Sequence, residues 1–305
     1  MSTTFDKVMK ERLEEAKNMT EKDKLYRFNG ILYPIILCKP ENLKAMETFE
    51  AREDDIMLAA YPKCGFNWMV GMMRKIAAAA ENSADDNPDK QPAMPPILEF
   101  INPEKYQSIN EAPSPRLVGT HMHPDNIPAS FAEKKTKILV VLRNPKDTVV
   151  SFFHFTNKNP ILPTAESWDK FFADFMSGEV PCGSYFDHAL SWEKRKDNPN
   201  IMFVTYEDLK ENLSDELKQI AKFFNFTLSE EQVNTIAQES TFTAMKERSK
   251  HTHGQMGNVI FRKGEVGDWK NHFSEDQSKE MDARFEKCLA GTKIGARLKY
   301  DIYCQ

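Results

Sequence analysis

The sequence predicts an α/β fold, a single globular domain with a central parallel sheet flanked by helices, and three observations carry that prediction. Short apolar or β-branched runs at Ile56–Tyr61, Lys137–Leu142 and Ile201–Thr205 read as fully buried strands. Each is followed by a polar turn and then a helical pattern, and such alternation implies parallel pairing with helices on both faces of the sheet. The length of 305 residues suits one large α/β domain or two ordinary ones, no internal repeat or low-complexity block divides it, and a single domain over 1–305 is the expectation adopted.

The elements follow in chain order. Residues 4–17 place Phe5, Val8, Met9 and Ala16 near one helical face of a charged segment, giving an amphipathic helix within an N-terminal tail over 1–22. After the first strand, a Pro62-Lys63-Cys64-Gly65 turn leads into a Met- and Ala-rich helix over Trp68–Ala80. The Asn-, Asp-, Ser- and Pro-rich stretch 81–96 is a loop. A short apolar stretch from Arg116 ends at His121. The second strand runs into Arg143-Asn144-Pro145-Lys146-Asp147 and a helix over Thr148–Phe155. Ser167 opens a helix carrying Trp168, Phe171, Phe172 and Phe175. After the third strand, Leu217, Ile220, Ala221 and Phe224 mark a helix opened by Ser214, and Ser229 with Gln232 makes a capping box for the next.

Composition excludes several function classes. Lys and Arg number 41 against 46 Asp and Glu, a net charge of −5, which argues against a basic nucleic-acid or membrane surface and confines any anion site to a local pocket. Among 12 glycines none are spaced Gly-x-Gly, and the Gly178–Gly183 spacing lacks the lysine of a phosphate loop, so dinucleotide-binding and Walker A signatures are absent. Five cysteines without a Cys-x-x-Cys pair suit free thiols in a reducing compartment. With no secretory leader and no long apolar run, the cytoplasm is the expected location.

Ligands of open α/β sheets bind at the carboxyl ends of the strands, and three cationic clusters sit there. Lys63-Cys64-Gly65-Phe66-Asn67 opens a helix and could cradle an anion, or be an ordinary turn with a solvated lysine. Arg143, with Lys146 and Ser151 beyond it, could fork onto a phosphate, or Arg143 could pair with Asp147. Phe261-Arg262-Lys263-Gly264 through Trp269-Lys270 combines cations, two glycines and flanking aromatics, as a loop closing on a phosphate and a ring would. Together they favour a nucleotide with more than one phosphate. His121 is a candidate general base, or else a hydrogen-bonded core histidine. The His121/His123 and His251/His253 pairs lack further ligands at metal spacing, so no metal is expected.

Tyr61-Pro62-Lys63-Cys64-Gly65-x-x-Trp68, Arg143-Asn144-Pro145-Lys146-Asp147 with Ser151, and Arg262-Lys263-Gly264-x-x-Gly267-Asp268-Trp269-Lys270 resemble, in order, the three nucleotide-binding signatures of the cytosolic sulfotransferases. The resemblance runs from about residue 28 to the end of the chain. It implies the P-loop-NTPase-like sulfotransferase fold, with 3′-phosphoadenosine 5′-phosphosulfate (PAPS) as donor and adenosine 3′,5′-bisphosphate (PAP) as product. The implied acceptor is the hydroxyl or amine of a small, largely apolar molecule. By position it implies that Lys63, Cys64, Gly65, Phe66, Asn67 and Trp68 hold the 5′-phosphosulfate. Arg143, Ser151 and Arg262-Lys263-Gly264 are implied to hold the 3′-phosphate, Ile260 and Phe261 to be further cofactor contacts, and Tyr206, Ser240, Thr241, Phe242 and Met245 to lie on the adenine side. His121 falls on the catalytic base, Lys63 on the group stabilising the leaving oxygen, and Ser151 on the hydroxyl that restrains Lys63. The acceptor site is implied to draw on residues 26–37, Phe153, and the loops 81–96 and 246–260.

The departures from the family pattern are informative. Cys64, Phe66 and Asn67 replace three hydroxyl residues of the usual loop, and Gly119 stands where a lysine usually precedes the base by two positions. Both changes predict weaker donor binding or narrower activity, and they motivate an alternative: a weak or inactive member that binds a nucleotide or hydrophobic ligand. A phosphoryl-transfer kinase is disfavoured by the missing Walker A loop. After Lys270, Ser274, Glu275 and Lys279 replace the usual dimer signature, so a monomer or weak homodimer is expected. The substitutions resemble those of a divergent branch, subfamily 6B.

Overall fold

The computed structural model describes residues 4–81, 95–253 and 256–305. A helix over Thr4–Lys17 leads to an antiparallel hairpin, β1 (Leu25–Phe28) with β2 (Ile31–Pro34). The hairpin is additional to the expected elements. Its turn is Asn29-Gly30, with φ of 48° and 80°, the dipeptide that two-residue hairpin loops favour. Ala16 of the first helix is buried with Ile36, Ile161 and Leu162, which docks the N-terminal segment on the body.

Four parallel strands form the central sheet: β3 (Ile56–Ala60), β4 (Leu117–Thr120), β5 (Lys137–Leu142) and β6 (Ile201–Thr205), in the order β4-β3-β5-β6. Met57, Leu58, Ala59, Val140 and Val141 are wholly inaccessible, as strands covered on both faces require. Register decides what the sheet can do. Ala59 lies opposite Thr120, Ala60 opposite Val141, and Leu142 opposite Thr205, so all four strands end nearly level. The residues that follow, Lys63 after β3, His121 after β4, Arg143 after β5 and Tyr206 after β6, therefore emerge side by side.

Helix boundaries differ from the sequence expectation where capping decides them. The helix after β3 spans Phe66–Ala80, beginning two residues early because Gly65 turns the chain at φ 102°. The helix after β5 spans Pro145–Lys158, since Asn144 caps the Asp147 amide and Pro145 suits the first position. Leu213–Phe223 starts after Asn212, so Ser214 lies inside the helix rather than capping it. Ser167 and the Ser229–Gln232 capping box act as expected. Segment 246–260 is helical over Phe242–Thr252 and again over Gly257–Ile260, not a plain loop. Residues 82–94 of the expected loop 81–96 lie outside the described residues.

At the amino ends of β3 and β4 a buried ion pair ties the sheet edge. Arg116 donates from Nε and Nη2 to the two carboxylate oxygens of Asp55, at 2.8 and 2.6 Å, with side-chain exposures of 3% and 0%. Truncating one partner of such a pair strands the other charge away from water. Asp55→Ala is expected to cost about 3–5 kcal/mol in urea-induced unfolding; a loss below about 1 kcal/mol would contradict the pairing's structural role.

Candidate active site

The first cluster begins with two residues in left-handed backbone, Lys63 at φ 71° and Gly65 at φ 102°. At Gly65 the restriction is also spatial, because a Cβ there would lie 3.0 Å from the Tyr206 ring. Trp68, in the first turn of the helix, donates from Nε1 to the Ser240 carbonyl (2.7 Å), and its ring meets Tyr206 edge-on at 5.2 Å.

Arg143 joins the strand ends. Its guanidinium donates to the Lys63 carbonyl (3.2 Å) and the Glu265 carbonyl (3.0 Å) and lies 4.3 Å over the Tyr206 ring. Asp147 does not pair with it. Its carboxylate accepts instead from the backbone N–H groups of Gly267 (2.7 Å) and Trp269 (3.1 Å) and from the Asn144 amide (2.8 Å), docking the third cluster against the second. Glu207, buried after β6, accepts from both nitrogens of Asn144. In the third cluster, Arg262 and Lys263 each donate to Asp268 at 2.5 Å. Burial alone would raise that carboxyl, but hydrogen bonds from Lys263, Arg262 and Asn271 hold it well below the usual carboxylate range. At Gly264, φ 72°, an added Cβ would overlap the Phe242 ring.

Lys63 lies on this cationic wall. Burial, with Arg143 and Arg262 nearby, pushes its ammonium down to about 7. Its Nζ donates to the Ile260 carbonyl (3.2 Å) and sits 4.2 Å over the Phe155 ring, rather than meeting the Ser151 hydroxyl. Lys146 turns away, fully buried, to Ser278, Asp282 and the Cys304 carbonyl, so it belongs to the C-terminal packing and not to the anion wall.

His121 directly follows β4. Its Nδ1 lies 2.8 Å from the Ala60 carbonyl, which can only accept, so Nδ1 carries the proton and Nε2 holds a free lone pair. Burial pushes the imidazolium down to about 4, opposed by the Ala60 hydrogen bond. Beneath it lies Glu99, wholly buried, accepting from the His121 backbone N–H (2.7 Å) and the Thr120 hydroxyl (2.9 Å). Burial drives the Glu99 carboxyl up to about 7 against those hydrogen bonds. The Phe66 ring packs edge-on against His121 at 4.9 Å, over Gly119.

One cavity is lined by His121 and by every other predicted site residue except Cys64, Ser240 and Thr241. The Cys64 thiol is buried 3.7 Å from the Thr148 hydroxyl and pushed up to about 12 by burial, so its side chain packs rather than binds. Ser240 contributes its carbonyl to Trp68, and the Thr241 hydroxyl caps the Ala244 amide. Phe152, not Phe153, faces the cavity, because Phe153 packs on Trp168 and Phe171. Glu99, Glu207 and Asp268 brace the expected site residues without being among them, although Asp268 lies within the third cationic cluster. Glu99 had a signal, a single acid inside the apolar run from Pro95 to Phe100. Asn67 Oδ1 and Arg143 Nε, both on cavity-lining residues, are buried without a hydrogen-bond partner among the described residues. Among the described residues, no group of three or more His, Cys, Asp or Glu is placed to hold a metal ion.

The model of the sulfotransferase domain matches residues 53–293. The chain belongs to the sulfotransferase family. It is 59% identical to Sulfotransferase 6B1 of Danio rerio over 297 residues, covering 97% of this chain and 99% of that one. Against Sulfotransferase 6B1 of Homo sapiens, identity is 50% over 301 residues, 99% of this chain and 98% of that one. The expected kinship with subfamily 6B is thus borne out. Among solved structures, mouse sulfotransferase SULT7A1 complexed with PAP superposes with a TM-score of 0.80 at 33% identity, covering 90% of this chain and 98% of that chain. The sulfotransferase fold, with its parallel sheet and flanking helices in one domain, is likewise as expected.

The crowding around Lys63 has a measurable consequence. Competitive acetylation across pH, read by mass spectrometry, should give the Lys63 amine a midpoint of about 7, far below an ordinary lysine. A midpoint of about 10 would show that the Lys63 ammonium is neither buried from water nor crowded by Arg143 and Arg262 as described.

Proposed function

We propose that this chain transfers the sulfuryl group of PAPS to a hydroxyl, or an amine, of a small and largely apolar acceptor. The observation that carries this reading is the pairing, within one cavity, of His121, its Nε2 lone pair set free by the Nδ1 bond to Ala60, with the cationic wall of Lys63, Arg143, Arg262 and Lys263. The donor supplies an activated sulfate-to-phosphate anhydride; the protein supplies a base, a cation and an orientation.

Arg143, Ser151 and the Arg262–Gly264 segment would hold the 3′-phosphate, with Arg262 and Lys263 exchanging part of their hold on Asp268 for it. Lys63 to Trp68 would hold the 5′-phosphosulfate, and Trp68, Tyr206, Phe242 and Met245 would bound the adenine. His121 Nε2 takes the acceptor proton as the acceptor oxygen bonds to sulfur and the bond from sulfur to the 5′-phosphate oxygen breaks, releasing PAP. Lys63 stabilises the charge appearing on that oxygen. Its charged form is favoured by the arriving anion, so donor affinity is greatest below pH 7 and falls as the free lysine loses its proton.

Pro34, Leu37, Ile97, Phe100, Phe155 and Leu162 give the cavity an apolar stretch of wall, which supports a largely apolar acceptor. Glu275 and Lys279 are engaged with each other along one exposed helix face at 2.7 Å, which supports a monomer or at most a weak homodimer. Five free cysteines support a reducing, cytoplasmic setting.

With labelled donor and a panel of hydroxyl and amine acceptors, His121→Ala should lower kcat by about 10²–10⁴-fold. PAP affinity should stay within about threefold of the parent protein. Parent-level transfer in the variant would remove His121 from the role of base.

A further inference from the structure

Gly119 is buried in the middle of β4 with ordinary strand backbone, so neither a turn nor a positive φ requires glycine there. Space does. A Cβ at Gly119 would lie 2.8 Å from Phe66 Cε2 and overlap Cζ outright. The strand cannot yield, because Gly119 lies opposite Leu58 in the ladder with β3 on one side and donates to the Pro96 carbonyl (2.8 Å) on the other. The Phe66 ring thus occupies the volume that any side chain at 119 would need, and it does so beside the base.

We infer that Phe66 is a positioning residue for His121 and that Gly119 is its obligatory partner, the two acting as one unit. The inference rests on the proposed sulfuryl transfer. The His121 ring has one polar anchor, the Nδ1 bond to Ala60, and a single hydrogen bond leaves an imidazole free to rock about it. Phenyl rings limit that motion: Phe66 at 4.9 Å and 61°, and Phe100 at 6.2 Å and 56°. Phe66 is 3% exposed and is the first residue of its helix, fixed in position by the Gly65 turn. It also lines the cavity, so its ring bounds the space in which an acceptor meets Nε2. The same ring therefore aims the base and limits the bulk of what the base can reach. Displacing a catalytic group by about 1 Å can cost about 10²-fold in rate, so a packing contact in this position has catalytic weight.

A double-mutant cycle with Phe66→Ala, Gly119→Ala and the pair tests this, with kcat, acceptor KM, PAP affinity and Tm measured for each protein. Gly119→Ala alone should lower kcat by about tenfold or more, since the displaced ring presses on His121. In the Phe66→Ala background the same change should cost less than about twofold, the volume being vacant. Phe66→Ala should lower kcat by a larger factor than it weakens PAP binding, since its phenyl ring offers phosphate no hydrogen bond, and should lower KM for bulkier acceptors. Phe66→Leu should recover part of the lost kcat, which a purely structural role would not predict if Tm values of the Ala and Leu variants match. Multiplicative losses in the double variant, or parent-like kcat in Gly119→Ala, would overturn the inference. Absence of any transfer by the parent protein would instead defeat the proposed function and this inference with it, whereas transfer with multiplicative losses defeats the inference alone.

Discussion

Four cations, Lys63, Arg143, Arg262 and Lys263, face one cavity, and the remainder of the site is arranged around the cost of keeping them there. Like charges at close range repel more strongly where burial lowers the effective dielectric. The protein answers at two levels. Asp268 neutralises Arg262 and Lys263 directly, while burial, with Arg143 and Arg262 adding to it, weakens the hold of Lys63 on its own proton. Arg143 stays in place by donating to backbone carbonyls from two loops and by lying on the Tyr206 ring. An arriving polyanion relieves the repulsion, so the site is preorganised for charge that the protein does not itself contain.

The carboxylates explain how an acidic chain builds such a place. Asp147 and Glu207 accept mainly from backbone and amide N–H groups at the ends of β5 and β6, fixing loop positions without cancelling the cavity's charge. Glu99 does the same at the end of β4, holding the Thr120–His121 corner. Net charge is thus a poor guide to the local field: Asp147, Glu207 and Glu99 are engaged mainly with backbone, amide and hydroxyl groups, and of the four cations only Arg262 and Lys263 are paired with an acid among the described residues, Asp268.

Sheet and loops differed in how legible they were. The runs Lys137–Leu142 and Ile201–Thr205 are strands to the residue, because a strand buried on both faces leaves an uninterrupted apolar run. The cationic loops were legible by residue type, and family resemblance gave them roles. Side-chain direction was not legible. Lys146 and Ser151 stand five residues apart on one helix, yet one is buried among C-terminal residues and the other lines the cavity. Helix starts at Phe66 and Leu213 depended on turns whose geometry the apolar pattern does not encode. Phe66 and Gly119, two separate departures from the family pattern in sequence, prove to be one packing event 53 residues apart along the chain (119 − 66). Single-position reading treats them as two losses, whereas in space one compensates the other.

The central claim, that burial and mutual repulsion of these cations prepare the cavity for a doubly phosphorylated ligand, is tested most directly by calorimetric titration with PAP. The titration is run at pH 8 in two buffers of differing ionisation enthalpy. If Lys63 is largely neutral in the free protein and charged in the complex, binding takes up close to one proton, and Lys63→Met abolishes the uptake. Binding with no proton exchange in the parent protein would contradict the account.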